Sequence, residues 1–397
     1  MISSARKLFS PGAGAQAWPL ALYYTTMFSI GGVHLPYWPV WLASHGQGAA
    51  GIGVLIAAGV CVRIVANPWV AHMADRLGER RRPIVLLGWI SLASFSLFAF
   101  APDFAWLVAI SLLFGFTWAP VGPLFDNLTL LTAYAEKLDY GRIRVWGSIS
   151  FMAATALGGW ILQGHSSELV LVLVLALLAA NALCGHLLPD RRTARAEPAH
   201  GIPLARLLRM RLFALFVGGT SLIFASHAAY YGFFTLHLRS IGYGESIIGL
   251  LWSEGVVLEI ALFFVSGSLF RRISPTNLIL LGAVAGLVRW PTIALSTSLM
   301  ALVAVQTLHS LTFAATHLGA MHFMSRAIPA GFSASAQSLY SAMTNGVAMA
   351  LALLGAGYLY ANTGASGAFL AMALMSLGGA VAAVLLGNRW DGGILST

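Results

Sequence analysis

The sequence predicts an all-α membrane protein with twelve transmembrane helices in two six-helix bundles. Composition is the first indication, because 58% of the 397 residues are hydrophobic and only 9% are charged, with a mean hydropathy of +0.82. A soluble domain carries about 25% charged residues. The second indication is a series of apolar stretches about 20 residues long, the length that crosses a bilayer core of about 30 Å.

The apolar stretches form two sets of six, separated by one long polar segment. A basic turn follows the second stretch of each set, at Asp75–Arg82 and at Phe270–Pro275, so the halves form a weak repeat. Paired six-helix halves of this kind are typical of secondary transporters. The predicted segments are a terminus at 1–15, a first bundle at 16–188, a linker at 189–211, a second bundle at 212–388 and a terminus at 389–397.

Basic residues are concentrated in alternate loops. With a cytoplasmic N-terminus, nineteen of the 22 Lys and Arg residues fall in cytoplasmic segments, whereas Arg239 falls in an outer loop and Arg63 and Arg289 within spans. Cytoplasmic loops carry such an excess. The net charge of +9 therefore indicates membrane topology and does not indicate nucleic-acid binding. It predicts a multi-pass protein of a bacterial-type cytoplasmic membrane with both termini inside.

Enzymatic and metal-binding classes fit the sequence poorly. Cys61 and Cys184 both lie in apolar stretches, so neither a disulfide framework nor a Cys-rich metal site is expected. His309 and His317 with Glu259 lack the His-Glu-x-x-His spacing of a metallohydrolase. We expect no enzyme activity, no cofactor and no metal. The expected partners are a small-molecule solute, protons and the lipid bilayer, with the chain acting as a monomer.

Charged residues interrupt the apolar stretches between residues 248 and 325. Glu254 and Glu259 lie in one span, Arg289 in the next and His309 in the one after. A charge at the bilayer centre costs about 2.5–3.5 kcal/mol on insertion scales, so such residues persist where they pair, line a polar cavity or carry ions. The pattern predicts a polar transport pathway inside the helical bundle.

The turn after the second span resembles the loop signature of the major facilitator superfamily, Gly-x-Leu-Ala-Asp-Arg-x-Gly-Arg-Lys. The matching residues are Asp75-Arg76-Leu77-Gly78-Glu79-Arg80, with Ala71 in place of the leading Gly and Glu79 in place of a basic residue. The resemblance implies the major facilitator fold and a gating role for Asp75 and Arg76. The alternative is a solvated, topogenic loop.

A second resemblance concerns the fourth and fifth spans. Arg142 and Arg144 point about 200° apart on a helix, so only one can face the interior. The stretch resembles lactose permeases, which implies that Asp126 and Arg144 are substrate ligands that pair across the two helices. Phe151 stands where those permeases have a Trp that stacks on the sugar. A structural ion pair, and simple packing for Phe151, are the alternatives.

A closer resemblance covers almost the whole chain and is to the phenylpropionate permease family of the superfamily. It implies proton symport of a small organic solute such as an aromatic carboxylate. Tyr230, Tyr231 and Arg63 are further candidate substrate ligands; the alternative for the tyrosines is an interfacial aromatic pair. The motifs include Leu35-Pro-Tyr-Trp-Pro-Val-Trp41, Leu138-Asp-Tyr-Gly-Arg-Ile-Arg-Val-Trp-Gly-Ser148 and His227-Ala-Ala-Tyr-Tyr-Gly-Phe233.

Proton coupling is expected at Glu259, with Arg289 and His309. The arrangement resembles that of lactose permeases, in which helices eight, nine and ten supply a glutamate, an arginine and a histidine. The permease's coupling glutamate lies one turn after its histidine, where this chain has Thr312, which cannot titrate. Glu259 must then carry the proton itself, or the protein is not proton-coupled. A static network that holds three helices together is the alternative.

The leading interpretation is a proton-coupled importer. The alternatives are a proton-driven exporter of drugs or metabolites and a sugar or nucleoside symporter on the same fold. Exporters of the superfamily usually have a Gly-Pro-rich motif in helix five, and the fifth span here has no proline, which favours import. The interior charges, three arginines and three acids, do not decide between an anionic and a neutral solute.

Overall fold

The structure is a computed structural model that describes residues 14–191, 207, 209–269, 273–329 and 332–395. Within these ranges the secondary structure is helical and contains no strand. Most of the predicted terminus at 1–15, most of the linker at 189–211 and residues 270–272 of the second basic turn lie outside the described residues.

The described helices follow in chain order, with a 3₁₀ turn at Leu97–Phe100 that extends α4 and π-helical turns at Ser310–Ala315 and Ala342–Ala348. Those of the first half are α1 (Gly14–Ser44), α2 (Ala49–Cys61), α3 (Arg63–Leu77), α4 (Arg81–Ser96), α5 (Phe104–Trp118), α6 (Val121–Glu136), α7 (Tyr140–Leu162) and α8 (Glu168–Gly185). Those of the second half are α9 (Arg211–Ala225), α10 (Ala228–Ser240), α11 (Glu245–Leu269), α12 (Pro275–Leu295), α13 (Leu299–Gln306), α14 (Thr316–Ala327), α15 (Ser333–Ser341) and α16 (Met349–Arg389).

Nine helical segments of the described chain are long and apolar enough to cross a membrane. One of them, Ser335–Arg389, has 55 residues, which is about 80 Å of helix and enough for two crossings. Its backbone breaks at Gly364, where φ is 71° and ψ is −171°. With α1 (31 residues) and α11 (25 residues), the described helices provide the twelve crossings that the sequence predicts. The all-α membrane fold is confirmed.

Local sequence explains where several helices begin and end. The Asp103 carboxylate accepts the backbone N–H of Trp106 at 3.0 Å and caps α5, and Asp139 caps α7 in the same way. Side-chain oxygens at this position satisfy N–H groups that a helix start leaves unpaired. At the end of α3, Gly78 has a φ of 66°, a conformation that favours glycine.

Among the described residues, four of the crossings are interrupted by breaks in the helix. They occur at Val62, at Ala119–Pro120, at Thr307–Leu308 and at Ser226–His227. At the last break, the Nδ1 atom of His227 lies 3.2 Å and 3.1 Å from the carbonyl oxygens of Ile223 and Phe224. Because backbone groups at membrane depth need partners within the protein, the His227 side chain stabilises this break.

The chain divides into two compact units, made of the described parts of 1–41 and 62–199 (unit 1) and of 42–61 and 200–397 (unit 2). Unit 2 includes α2, which packs closely on α16. A Cβ on Gly53 would stand 2.7 Å from the carbonyl oxygen of Leu353, and a Cβ on Gly357 would stand 2.8 Å from that of Ala49. The two glycines therefore permit this close approach of the helices.

Candidate solute and proton sites

Arg289 on α12 is the centre of a polar network in unit 2 and is fully buried, with 0% exposure. Its NH1 group is 3.0 Å from Nδ1 of His309 and donates to the Thr312 hydroxyl at 3.1 Å. Its NH2 group donates to the Gln306 side-chain oxygen at 3.0 Å. Within the described residues, Nε has no hydrogen-bond partner and no carboxylate forms an ion pair with this arginine. Neutral groups therefore hold a buried cation.

Aromatic rings enclose the same guanidinium. Its central carbon lies 4.5 Å from the centre of the Tyr230 ring and 4.6 Å from that of Trp290. Gln306 fixes the first ring, because its amide donates to the Tyr230 hydroxyl at 3.0 Å and to the Leu251 carbonyl at 2.8 Å. Cation–π contacts of this kind are worth more where water is excluded.

The hydrogen-bond donors of the network determine where the His309 proton lies. An arginine can only donate, so Nδ1 of His309 accepts from Arg289 and the ring proton is on Nε2. That Nε2 atom faces Glu259 on α11, 3.7 Å from its Oε2. His309 is therefore a neutral spacer between a cation and a carboxylate. The three predicted proton-coupling residues are brought together in the order Arg289, His309, Glu259.

His227 belongs to the same network. Its Nδ1 faces two carbonyl oxygens and must donate, and its Nε2 lies 3.1 Å from the Thr312 hydroxyl. That hydroxyl accepts from Arg289, and its one proton has two acceptors within reach, Nε2 of His227 and the His309 carbonyl oxygen at 3.2 Å. His227, Gln306 and Thr312 are not among the site residues predicted from the sequence. A signal was present, because Gln306, His309 and Thr312 recur every three residues in an apolar stretch and so share a helix face.

The helix that carries His309 is irregular at this point. A π-helical turn over Ser310–Ala315 begins directly after His309 and includes Thr312. Such turns are frequent at functional sites. The neighbouring α12 comes close there, since a Cβ on Gly282 would stand 2.8 Å from the carbonyl oxygen of Leu311. The turn therefore presents His309 and Thr312 to Arg289 at short range.

Unit 1 contains the second group of candidates. The Tyr24 hydroxyl on α1 donates to Asp126 at 2.5 Å, and the Arg144 guanidinium lies 4.2 Å from the Phe28 ring centre and 5.3 Å from that of Tyr24. Among the described residues, Asp126 and Arg144 form no direct ion pair. Tyr24 contacts both side chains, whereas the sequence predicts a direct pair between them.

Gly147 makes room for this arrangement in unit 1. A Cβ on Gly147 would stand 2.9 Å from Cδ2 of Phe28 and 3.0 Å from NH1 of Arg144. Aromatic stacking therefore holds the Arg144 side chain away from the carboxylate. Phe151 is half-buried against α1, where a Cβ on Gly31 would be 3.6 Å from its ring. This position fits packing as well as solute contact.

Of the remaining predicted site residues, Arg63 lies apart from both groups and Tyr231 lies beside the Arg289 network. Arg63 is exposed at the first position of α3, directly after a helix break, and interacts electrostatically with the half-buried His34. Tyr231 is half-buried in unit 2, with its ring centre 5.8 Å from that of His227. Each of these side chains remains a candidate solute contact.

The predicted gating pair is arranged differently from the sequence expectation. Asp75 pairs with Arg80 at 2.9 Å, whereas Arg76 is exposed. Arg80 is 8% exposed, and its Nε also donates to Asn127 on α6. The buried partner of Asp75 is thus Arg80, which the sequence argument did not single out. The contact ties the turn to α6 within unit 1.

Twelve apolar crossings with buried charged networks on successive helices define a polytopic membrane transporter of the two-bundle class. The sequence model described as "MFS_1 like family" matches residues 17–371, and the chain belongs to this family of major facilitator transporters. The resemblance to the superfamily and to phenylpropionate permeases is thereby confirmed.

Individual relatives agree with this assignment. The chain is 35% identical, over 90% of its length and 94% of the relative's, to the "Probable 3-phenylpropionic acid transporter" of Escherichia coli (strain K12). It is 22% identical to the lactose permease of Citrobacter freundii over 90% of this chain and 91% of that one. The crystal structure of the nucleoside transporter NupG has the same fold, with a TM-score of 0.82, 17% identity and coverage of 95% of this chain and 100% of that chain.

Proposed function

We propose that the chain is a proton-coupled importer of a small organic solute, an aromatic carboxylate such as a phenylpropionate-like acid, that works by alternating access as a monomer. The observation that carries the proposal is the series formed by half-buried Glu259, buried His309 and buried Arg289 on three successive crossings. A carboxyl that can exchange a proton while a buried cation lies one side chain away is a simple proton-coupling device. The name of the relative from Escherichia coli supports the solute class.

Aromatic side chains around the network also support an aromatic solute. The ring centres of Tyr230 and Trp252 are 4.3 Å apart, and those of His309 and Phe313 are 5.7 Å apart. Such rings prefer offset or edge-to-face contacts with another ring. A phenyl group with a carboxylate would find both ring partners and a guanidinium within this part of unit 2.

The experiment is uptake of labelled solutes into vesicles that contain the purified chain. With an acid-outside pH gradient, 3-phenylpropionate should accumulate above its equilibrium level, and a protonophore should abolish the accumulation. Protein-free vesicles measure the passive entry of undissociated acid. Uptake that is unaffected by the protonophore would contradict proton coupling, and outward pumping would favour the exporter.

A second candidate is a sugar or nucleoside symporter. One observation favours it: Asp126, Tyr24 and Arg144 in unit 1 together offer hydrogen-bond acceptors and donors of the kind that hydroxyl-rich solutes use. The nucleoside transporter and the lactose permease named above fit this alternative. Labelled uridine and lactose in the same vesicles distinguish the two candidates, because proton-driven accumulation should occur for only one solute class.

We further propose that both termini and the linker at 189–211 are cytoplasmic. The support is the distribution of nineteen basic residues against one across the loops. Reporter fusions in the linker and at Asn362–Gly364, where the helical backbone breaks at Gly364, should report opposite sides of the membrane. Fusions that report the same side would contradict this topology.

A further inference from the structure

The charges of the Arg289 network in unit 2 balance only when Glu259 is ionised. Seven ionisable groups lie in or around the network. They are Arg289 on α12, Tyr230 and Tyr231 on α10, His227 just before α10, His309 just after α13, and Glu254 and Glu259 on α11. His309 is neutral because its Nδ1 accepts from Arg289. His227 is counted as neutral because it is fully buried and linked to Arg289 through Thr312, where a second cation would be unfavourable. One cation and one carboxylate, joined through the ring of His309, therefore make a neutral network.

Glu254 does not take the place of Glu259 in this balance. The two glutamates are five residues apart on α11 and so point about 140° apart around the helix. Only Glu259 reaches His309, at 3.7 Å, whereas Glu254 is half-buried and acts electrostatically on Tyr230. Glu254 is thus a natural control for the removal of a carboxylate from the same helix.

Protonation of Glu259 leaves the charge on Arg289 without a counter-charge in a buried site. A buried cation that has lost its compensating charge is strongly unfavourable. A carboxylate from the solute would restore neutrality. The guanidinium still has an unpartnered Nε–H, and planar guanidinium groups bind carboxylates through paired N–H donors. The same proton that neutralises Glu259 therefore creates an anion site at Arg289.

We propose that Arg289 is the carboxylate-binding residue of the solute site and that it binds an anion only when Glu259 is protonated. The inference rests on the proposed function and adds its stoichiometry. One proton, held on the Glu259 carboxyl, and one monocarboxylate, held at Arg289, move together as a neutral pair. The empty carrier returns with Glu259 ionised and is also neutral, so the transport cycle moves no net charge.

The binding test uses purified full-length chain and labelled 3-phenylpropionate at pH values where this acid is ionised. For the wild type, the Kd should rise about tenfold per pH unit on the alkaline side of the Glu259 titration. Glu259→Gln should bind with a Kd that does not change with pH, and Glu254→Gln should keep the wild-type slope. A wild-type slope in Glu259→Gln, or a flat line in the wild type, would overturn the proposal.

The transport test needs no variant and so does not depend on how Glu259→Gln folds. Vesicles with wild-type protein receive either a pH gradient or, at equal pH, an inside-negative potassium diffusion potential. The pH gradient alone should drive 3-phenylpropionate accumulation, and the potential alone should drive none. Accumulation driven by the potential would overturn the neutral pair but leave proton-coupled import standing. If uridine or lactose accumulates and no carboxylate does, the inference and the proposed solute class are both overturned. The same holds if no solute accumulates.

Discussion

The two units use the same kinds of residue in two different ways. Unit 1 joins Asp126 to Arg144 through a tyrosine, and both charged side chains are half-buried. Unit 2 joins Glu259 to Arg289 through a histidine, and the arginine has 0% exposure. Charges interact more strongly where water is excluded. A change of protonation therefore has a larger energetic effect in unit 2, which favours unit 2 as the coupling site and unit 1 as a polar contact site.

Uptake is expected to differ most between the two units when the arginine of each unit is replaced in turn. Arg289→Gln removes a buried cation and leaves the acceptors on His309, Thr312 and Gln306 without their donor, so 3-phenylpropionate uptake should fall at least about a hundredfold, equivalent to about 3 kcal/mol. Arg144→Gln removes a half-buried, stacked cation and should reduce initial uptake by about tenfold. Rates are compared at equal amounts of protein in the membrane. Equal losses for the two variants would remove the contrast between the units.

A smaller effect is expected from the hydroxyl that links Arg289 to His227. Thr312→Val keeps the shape of the side chain but removes the hydroxyl contact to His227 and one acceptor of Arg289, which should cost about 1–3 kcal/mol of stability. Thr316→Val is the matched control, since the Thr316 hydroxyl is buried and has no hydrogen-bond partner in the described part of the chain. Thermal unfolding of the detergent-solubilised variants measures both. Equal melting temperatures would show that the Thr312 hydroxyl is energetically unimportant.

The smallest effect is expected in unit 1, from removal of the Tyr24 hydroxyl between the two charged side chains. Tyr24→Phe removes the hydrogen bond to Asp126 and keeps the ring beside Arg144, so affinity for the solute should fall by about 1 kcal/mol, or about fivefold. Tyr23→Phe is the control on the same helix, because the Tyr23 hydroxyl is buried without a described partner. Solute affinity from uptake kinetics checks the pair. A greater loss from Tyr23→Phe would contradict the role given to Tyr24.

The twelve crossings and the grouping of Glu259, Arg289 and His309 could be predicted from the sequence because each rests on local information. Charge-free stretches of bilayer length predict the spans, and a charged residue inside such a stretch is conspicuous. Glu259, Arg289 and His309 lie on consecutive spans, which pack together in compact bundles. Their grouping therefore followed from chain order alone.

Three features of the sites could not be predicted in this way. Tyr24 lies on α1, about a hundred residues from Asp126, and a tyrosine in an apolar span looks like ordinary packing. Asp75 pairs with Arg80 and not with Arg76 because the chain reverses at Gly78. Of the several arginines in this turn, the reversal directs Arg80 toward α6. The break at Ser226–His227 contains neither proline nor glycine, so no local signal marks it.

The most direct test of proton coupling at Glu259 measures proton and solute movement in the same vesicles. Addition of 3-phenylpropionate to wild-type vesicles should make the medium more alkaline as solute enters, one proton for each molecule. Glu259→Gln should give no proton uptake and no accumulation against a gradient, while exchange of labelled for unlabelled solute continues. Accumulation by Glu259→Gln with the same proton uptake as the wild type would contradict the assignment of the coupling proton to Glu259.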